Sequence, residues 1–366
     1  MVLKKEGGKK MNKRIIFFIG NLLIYFIAFA QTPTNDPHWQ LKWEDQFNNF
    51  NSSKWLIGKY GDHYGEPQLY LETNVQTFNG NLVIKISNYP VRCPNPAPSQ
   101  VGEAGTCTPE KLYQYTSGWI ETKEAYKTQY GYIEARIKLP FKRVGNKSWG
   151  FWPAFWTFSS GATNAAEIDI FEMFGGEYKE PNTLNTCIHR HYDFNEHMGC
   201  AHTFANFDYT EWHTYAIEWN ANRIIWYLDG KAIRTTCNHQ IIGPIRIILN
   251  LAIQSQSKYY PPTSPPFTAY MYVDYVKVYC LQCDKSTPLT INNLTDLANY
   301  DYKVKKSITI NPITIPAGNN ICLRANDFIE LKPGFEVQTG REMYLDVTPC
   351  EPCIPIAQEI PRGGGE

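Results

Sequence analysis

The sequence has no surplus charge. Its 35 Lys and Arg balance 35 Asp and Glu across 366 residues, for a formal net charge of +0. Proteins hold phosphate backbones with a basic excess, so this balance argues against nucleic acid as a partner. No long stretch repeats apolar residues at helical period, which argues against a helical bundle. Cysteine is missing from the first 92 residues, and tryptophan from residues 302–350. Aromatics, by contrast, make up 14% of the chain, with 10 Trp and 24 Tyr. They suit the core of a β-fold, and equally the stacking of apolar ligand faces.

Lys9, Lys10, Lys13 and Arg14 precede an apolar run, Ile15 to Ala30, that ends in Ala28-Phe29-Ala30. A basic segment, an apolar segment and a small-x-small site describe a secretory signal over residues 1–30, with Met11 as a possible true start. The run contains Asn21 and is shorter than the ~20 apolar residues a membrane span needs. The expected location is secreted or cell-surface associated, with no span after cleavage. All 10 Cys lie beyond this segment, and an even count in an exported chain favours disulfides. Cys93/Cys107 and Cys187/Cys200 are close enough to staple loops, and Cys322/Cys350 could close a C-terminal unit. Cys280-x-x-Cys283 and Cys350-x-x-Cys353 have the spacing of zinc half-sites, but their separation and the oxidising compartment argue against zinc.

Between His38 and Cys280 the chain reads as many short strands rich in β-branched and aromatic residues. Examples are "GNLVIKIS" (80–87), "YGYIEARIKLP" (130–140), "EIDIFEMF" (167–174) and "IRIILNLAI" (245–253). Turn signals such as Asn79-Gly80 and Asp229-Gly230 separate them. The expected fold class is all-β, an antiparallel two-sheet sandwich or jelly roll. Its domain spans residues 31–281, followed by a polar linker at 282–301. Residues 302–350 form a small β-module of very short strands closed by Gly turns, and 351–366 a flexible tail. The module has no clustered acid pair and no Trp, so it reads as an accessory or attachment unit.

The stretch "AAEIDIFEMFGG" (165–176) crowds Glu167, Asp169 and Glu172 among Ile168, Ile170 and Phe171. Alternation puts Glu167 and Asp169 on one strand face and the two isoleucines on the other. Glu172 joins that face if one β-bulge falls at Ile170–Phe171. Three carboxylates at this range cannot all stay ionised at neutral pH, so at least one pKa rises. A proton donor beside an anionic nucleophile is the arrangement of retaining glycoside hydrolysis.

The neighbouring blocks strengthen this reading. "WEDQF" (43–47), "YTSGWIET" (115–122), "YGYIEARIKLP", "WPAFW" (152–156), "EIDIFE", "EWHTYAIEWNANRIIWYLDG" (211–230) and "ILNLAI…VDYVKVY" follow one another in order. Together they resemble glycoside hydrolase family 16 over most of residues 40–280. The resemblance implies a jelly roll with a concave substrate cleft and a retaining, endo-acting mechanism. By position it makes Glu167 the nucleophile and Glu172 the acid/base, with Asp169 between them holding the nucleophile's orientation and protonation. The bulged form of the motif is associated with β-1,3-glucanases, agarases and carrageenases. This points first to a laminarin-like β-1,3-glucan. A galactan hydrolase, a transglycosylase and a non-catalytic glucan-binding protein on the same fold are the alternatives. The chain departs from the family at Ala166, often Gly, and at "NLAIQSQS" (250–257), where Gln254 and Ser255 add side chains expected at the cleft rim.

Further candidates are weighed against plain packing. Trp152 and Trp156 share a strand face and could stack on sugar rings, with Trp149 and Trp119 as weaker candidates. In the family a His at the position of His189 lies near the nucleophile; His191 shares its face. Glu134 and Arg136 alternate on "YIEARIK" and either line the cleft or form a buried pair. Asn250 could donate to a hydroxyl or merely satisfy a backbone. Asp274 matches the family's structural Ca²⁺ position. Catalysis itself is expected to need no cofactor. The expected partner is a polysaccharide and the expected state a monomer.

Overall fold

The fold comes from a computed structural model. It describes residues 2–4, 13–15, 32–33, 36–140, 143–144, 147–148, 150–159, 166–175, 183–190, 200–204, 207–238, 241, 243–316, 321–339, 343–351 and 353. Most of the apolar signal run lies outside the described residues, as do Trp149 and His191. Val2–Lys4 and Lys13–Ile15 pair with strands of the C-terminal unit. Among the described residues no helix is long and apolar enough to cross a membrane.

The expected jelly-roll sandwich is present. A seven-stranded sheet runs in the order Ala201–Phe204, Thr183–Arg190, Ala166–Glu172, Phe151–Ser159, Arg246–Ile253, Trp119–Thr122, Trp55–Ile57. A ten-stranded sheet packs against it, with Gly131–Lys138 and Thr268–Leu281 at its centre. Period-two alternation explains the core. Ile247, Leu249, Leu251 and Ile253 of one strand meet Ile133, Ala135 and Ile137 of the opposite sheet. Each of these isoleucines and leucines contributes roughly 1.5–3 kcal/mol when fully buried.

The bulge falls where the sequence needs it. Phe155 pairs with Phe171 and Trp156 with Asp169, so Ile170 has no residue opposite it. Ile170 and Phe171 both enter the core, and the face is reset for Glu172.

Alternation also corrects two expectations. Glu134 and Arg136 lie between the core residues Ile133, Ala135 and Ile137, so their side chains point to the far face of the ten-stranded sheet, away from the carboxylates. There Glu134 accepts from the Tyr275 hydroxyl at 3.0 Å, and Arg136 pairs with Asp274 at 2.6 Å. The Ca²⁺ expectation at Asp274 does not fit this arrangement. A guanidinium already sits against that carboxylate.

The C-terminal unit is built of parallel rungs. Val304–Ile310, Ile321–Leu331 and Met343–Val347 pair in parallel, around a core that includes Ile308, Leu323, Ile329 and Leu345. The segment expected as a linker joins this unit: Cys283–Asp284 and Leu289–Ile291 pair with Val304–Ile310, and Leu294–Ala298 is a short helix.

Cys93–Cys107 and Cys187–Cys200 are disulfides, as their spacing suggested. Cys322–Cys350 is not one. Cys350 bonds Cys283, Cys353 bonds Cys280, and Cys322 is a buried free thiol. Cys280–Cys353 therefore staples the sandwich's last strand to the far end of the second unit, and Cys283–Cys350 closes that unit beside it. A buried charge cluster lines the same seam. Arg324 contacts Asp36 at 2.7 Å and Asp346 at 3.0 Å, while Arg223 contacts Glu218 at 3.0 Å and Asp346 at 3.2 Å. Burial would raise the Asp36 pKa, but the Arg324 charge and hydrogen bonds from His38 hold it well below the usual carboxylate range.

Candidate active site

Glu167, Asp169 and Glu172 share the open face of the seven-stranded sheet, while Ala166, Ile168, Ile170 and Phe171 fill the core behind them. The strand is pinned at the bulge from the opposite sheet, where the Trp226 indole N–H donates to the Asp169 carbonyl at 2.7 Å. Nothing in the sequence singled out Trp226 for this role, because the contact crosses the sandwich.

Crowding sets the electrostatics. Burial raises the Asp169 pKa well above the usual range. The charges of Glu172 and Glu167 add to this, as does a hydrogen bond in which protonated Asp169 donates to Glu167. Glu172 keeps some contact with solvent but is packed on most sides. Burial and then the Glu167 charge push its pKa up to about 8, opposed by a hydrogen bond from Trp152. That bond runs from the Trp152 Nε1 to Glu172 Oε1 at 3.0 Å. Asn185 donates to the Glu172 carbonyl at 3.2 Å and fixes the backbone beyond the bulge. Burial and mutual charge thus raise the proton affinity of two of its carboxyls.

His189 joins the group from the neighbouring strand. Its Nε2 is 3.2 Å from Asp169 Oδ2 and 3.8 Å from Glu167 Oε1. The nearer contact is not an aligned hydrogen bond, since Asp169 Oδ2 accepts none. Cys187 lies opposite Asp169 in register, and its disulfide with Cys200 occupies the sulfur that would otherwise complete a metal-like cluster with Asp169, Glu172 and His189.

The remaining candidates separate by burial. Trp152 is partly exposed and packs on Phe174, with ring centroids 4.9 Å apart. Trp156 is 7% exposed and donates to Asn250 Oδ1 at 2.8 Å. Asn250 in turn donates to the Tyr70 hydroxyl, which donates to Glu66. Glu66 also accepts from Gln68, and burial raises its pKa to about 8. This relay orients Trp156, and Asn250 works as its link. Trp119 is fully buried under Ala104 and hydrogen-bonded to Glu121, so the expectation that it offers a ring to substrate is corrected. Gln254 is also buried and not at a rim, whereas Ser255 is exposed.

The structure adds a further residue that the sequence did not mark, His63. Its ring packs on Trp119 at 5.0 Å and on Trp156 at 5.8 Å, near Glu167. It comes from a loop far from the carboxylate motif, and no local pattern announces it.

Comparisons with known proteins identify the family. Residues 69–256, more than half of the chain, match the model for "Glycosyl hydrolases family 16". An endo-1,3-1,4-beta-glycanase of Rhizobium meliloti is 33% identical over 174 residues, 47% of this chain and 35% of the relative. A glucan endo-1,3-beta-glucosidase of Niallia circulans is 29% identical over 280 residues, 65% of this chain and 37% of the relative. The chain thus spans little more than a third of the length of these curated relatives. Among solved structures, an endo-beta-1,3-glucanase from Pyrococcus furiosus superposes with a TM-score of 0.53 and 30% identity, covering 66% of this chain and 94% of that one. The chain belongs to glycosyl hydrolase family 16.

Proposed function

We propose, from that membership and the site's protonation, that the chain is an exported retaining endo-hydrolase of β-1,3-glucan. The observation that carries the reading is the carboxyl pair: Glu172, with its pKa raised to about 8, shares a face with Glu167. A carboxylic acid that stays protonated at neutral pH can donate to a leaving oxygen, while its neighbour attacks.

In the first step Glu172 gives its proton to the glycosidic oxygen. The bond from that oxygen to the anomeric carbon breaks, and a Glu167 oxygen bonds to the carbon. The product is a glycosyl-enzyme ester and a free chain end. In the second step Glu172, now anionic, takes a proton from water, whose oxygen displaces Glu167. Asp169 donates a hydrogen bond to Glu167 before attack and so holds its rotamer. Trp152 is placed to stack on the sugar beside Glu172. The disulfides suit an oxidising, extracellular setting.

The test is product release from laminarin, mixed-linkage glucan, agarose and κ-carrageenan. Laminarin oligosaccharides from the wild type are expected. Glu167→Gln should lower kcat by about 10³-fold or more, and Glu172→Ala should lose most activity on polysaccharide but little on a substrate with an activated leaving group. Products from a galactan alone would overturn the substrate. Full activity of Glu167→Gln would overturn the mechanism.

A further inference from the structure

We propose that Asp36, His38 and Cys322 form a structural zinc site that clips the start of the sandwich to the second unit. The site lies at the seam and not in the cleft, so it is independent of the hydrolase reading.

The first ground is convergence. Asp36 and His38 lie just before the sandwich strand Trp39–Asp45, and Cys322 lies on Ile321–Leu331, a rung of the second unit. A carboxylate oxygen, an imidazole nitrogen and the sulfur, one from each residue, fall within 4.8 Å of one another. The three residues are 0%, 0% and 4% exposed. His38 Nδ1 is 2.7 Å from Asp36 Oδ1 and 3.7 Å from Cys322 Sγ. Tetrahedral zinc, about 2.0 Å from nitrogen and about 2.3 Å from sulfur, sets those two atoms about 3.6 Å apart. The sulfur and nitrogen already have that spacing, and Asp36 Oδ1 needs to draw back by only about 0.6 Å.

The second ground is the tautomer. The Tyr300 hydroxyl has one proton, and it donates that proton to the Lys303 carbonyl at 2.9 Å. It therefore accepts from His38 Nε2, 2.7 Å away, so Nε2 carries the proton of the neutral ring. Nδ1 is then a bare lone pair facing the Asp36 carboxylate. Two acceptors 2.7 Å apart need a positive species between them. A proton there makes a buried imidazolium beside Arg324, whose Nε is 2.7 Å from Asp36 Oδ2. Zinc satisfies the same two atoms and takes up the sulfur as well. A histidine whose second nitrogen donates to a fixed acceptor is the usual outer shell of a zinc ligand, and Arg324 orients the carboxylate in the same way.

The third ground is charge. Cys322 remains a thiol in a chain with four disulfides. On binding, its proton passes to solvent, as does the Nδ1 proton where the ring is charged, and a sulfur–zinc bond forms with no transfer of electrons to or from another molecule. The thiolate and the Asp36 carboxylate together balance Zn²⁺, so Arg324 faces a neutral centre. One nitrogen, one oxygen and one sulfur donor make up a set that suits zinc and not calcium or magnesium.

The experiment uses the full chain carrying Cys237→Ser, which leaves Cys322 as its free thiol. The protein is unfolded with its disulfides intact, refolded with Zn²⁺ or Co²⁺ and freed of loose metal. Metal content, the cobalt absorption spectrum and melting temperature are read for this parent, for Cys322→Ala and for Tyr300→Phe. The parent should hold about one zinc per chain, show a thiolate-to-cobalt charge-transfer band and melt higher with zinc than without. Cys322→Ala should lose the band and hold less than about 0.1 zinc per chain. Tyr300→Phe removes only the acceptor for Nε2 and should weaken zinc binding by about 10–100-fold. A folded parent with less than about 0.1 zinc per chain after refolding in excess Zn²⁺ overturns the proposal, as does zinc that Cys322→Ala holds unchanged. If Cys322→Ala does not fold, the cobalt band of the parent decides alone, because it arises only from a thiolate ligand.

Discussion

The indole N–H of Trp152 donates to Glu172 Oε1 at 3.0 Å, so the ring proposed to meet substrate also bears on the proposed proton donor. The bond favours the carboxylate, and among the described residues it is the influence that lowers the Glu172 pKa, against burial and the Glu167 charge, which together raise it to about 8. Trp152→Phe keeps an aromatic face and removes the donor. The pKa of Glu172 then rises, and the basic limb of the kcat/KM profile moves above its wild-type position near pH 8. Hydrolysis rates across pH 5–10 check this, and a limb that stays in place would show that the bond does not set the proton affinity.

The same shift has a stability consequence. A carboxyl whose folded pKa is raised binds its proton more tightly when folded. Its stabilising contribution is complete below the unfolded carboxyl pKa and is lost as pH rises through about 8. Glu172→Gln has no such dependence. The variant should therefore melt higher than wild type at pH 8 and above, with the gap closing toward pH 4. Calorimetric scans at several pH values decide it, and a constant gap would place the difference in packing and not in protonation.

The seam between the two units should be intolerant of losing its central cation. Arg324 is fully buried against Asp36 and Asp346. Arg324→Met leaves Asp36 buried without its guanidinium and Asp346 with one guanidinium, that of Arg223, which costs about 3–5 kcal/mol by the usual penalty for breaking a buried pair. Guanidinium unfolding under oxidising conditions, with both seam disulfides intact, measures it. A loss below about 1 kcal/mol would mean that Arg223 and solvent reorganise to take over.

Much of this was legible in local pattern. Alternation in "EIDIFEMF" specified which side chains face outward, and the three-residue step from Asp169 to Glu172 required a bulge, which falls at Ile170. Loop-sized spacing gave the pairs Cys93–Cys107 and Cys187–Cys200. The seam pairs could not be read this way, because their partners lie 67 and 73 residues apart and four cysteines in two C-x-x-C pairs combine in more than one way.

What the sequence by itself determined is what depends on neighbours a few residues away: the strands, the side each residue takes and the chemical type of the acidic row. Tertiary structure decided which sheet and which face each side belongs to. Glu134 and Arg136 alternate as a cleft-lining pair would, yet their strand lies in the ten-stranded sheet and shows them to the opposite side. Trp119 and Trp156 belong to strands of the carboxylate sheet, but a loop from a distant segment covers the first and brings His63 over both. The physical reason is range. Pleat and bulge are backbone properties of a few residues, whereas burial and proton affinity depend on chain segments brought together only when the sandwich closes.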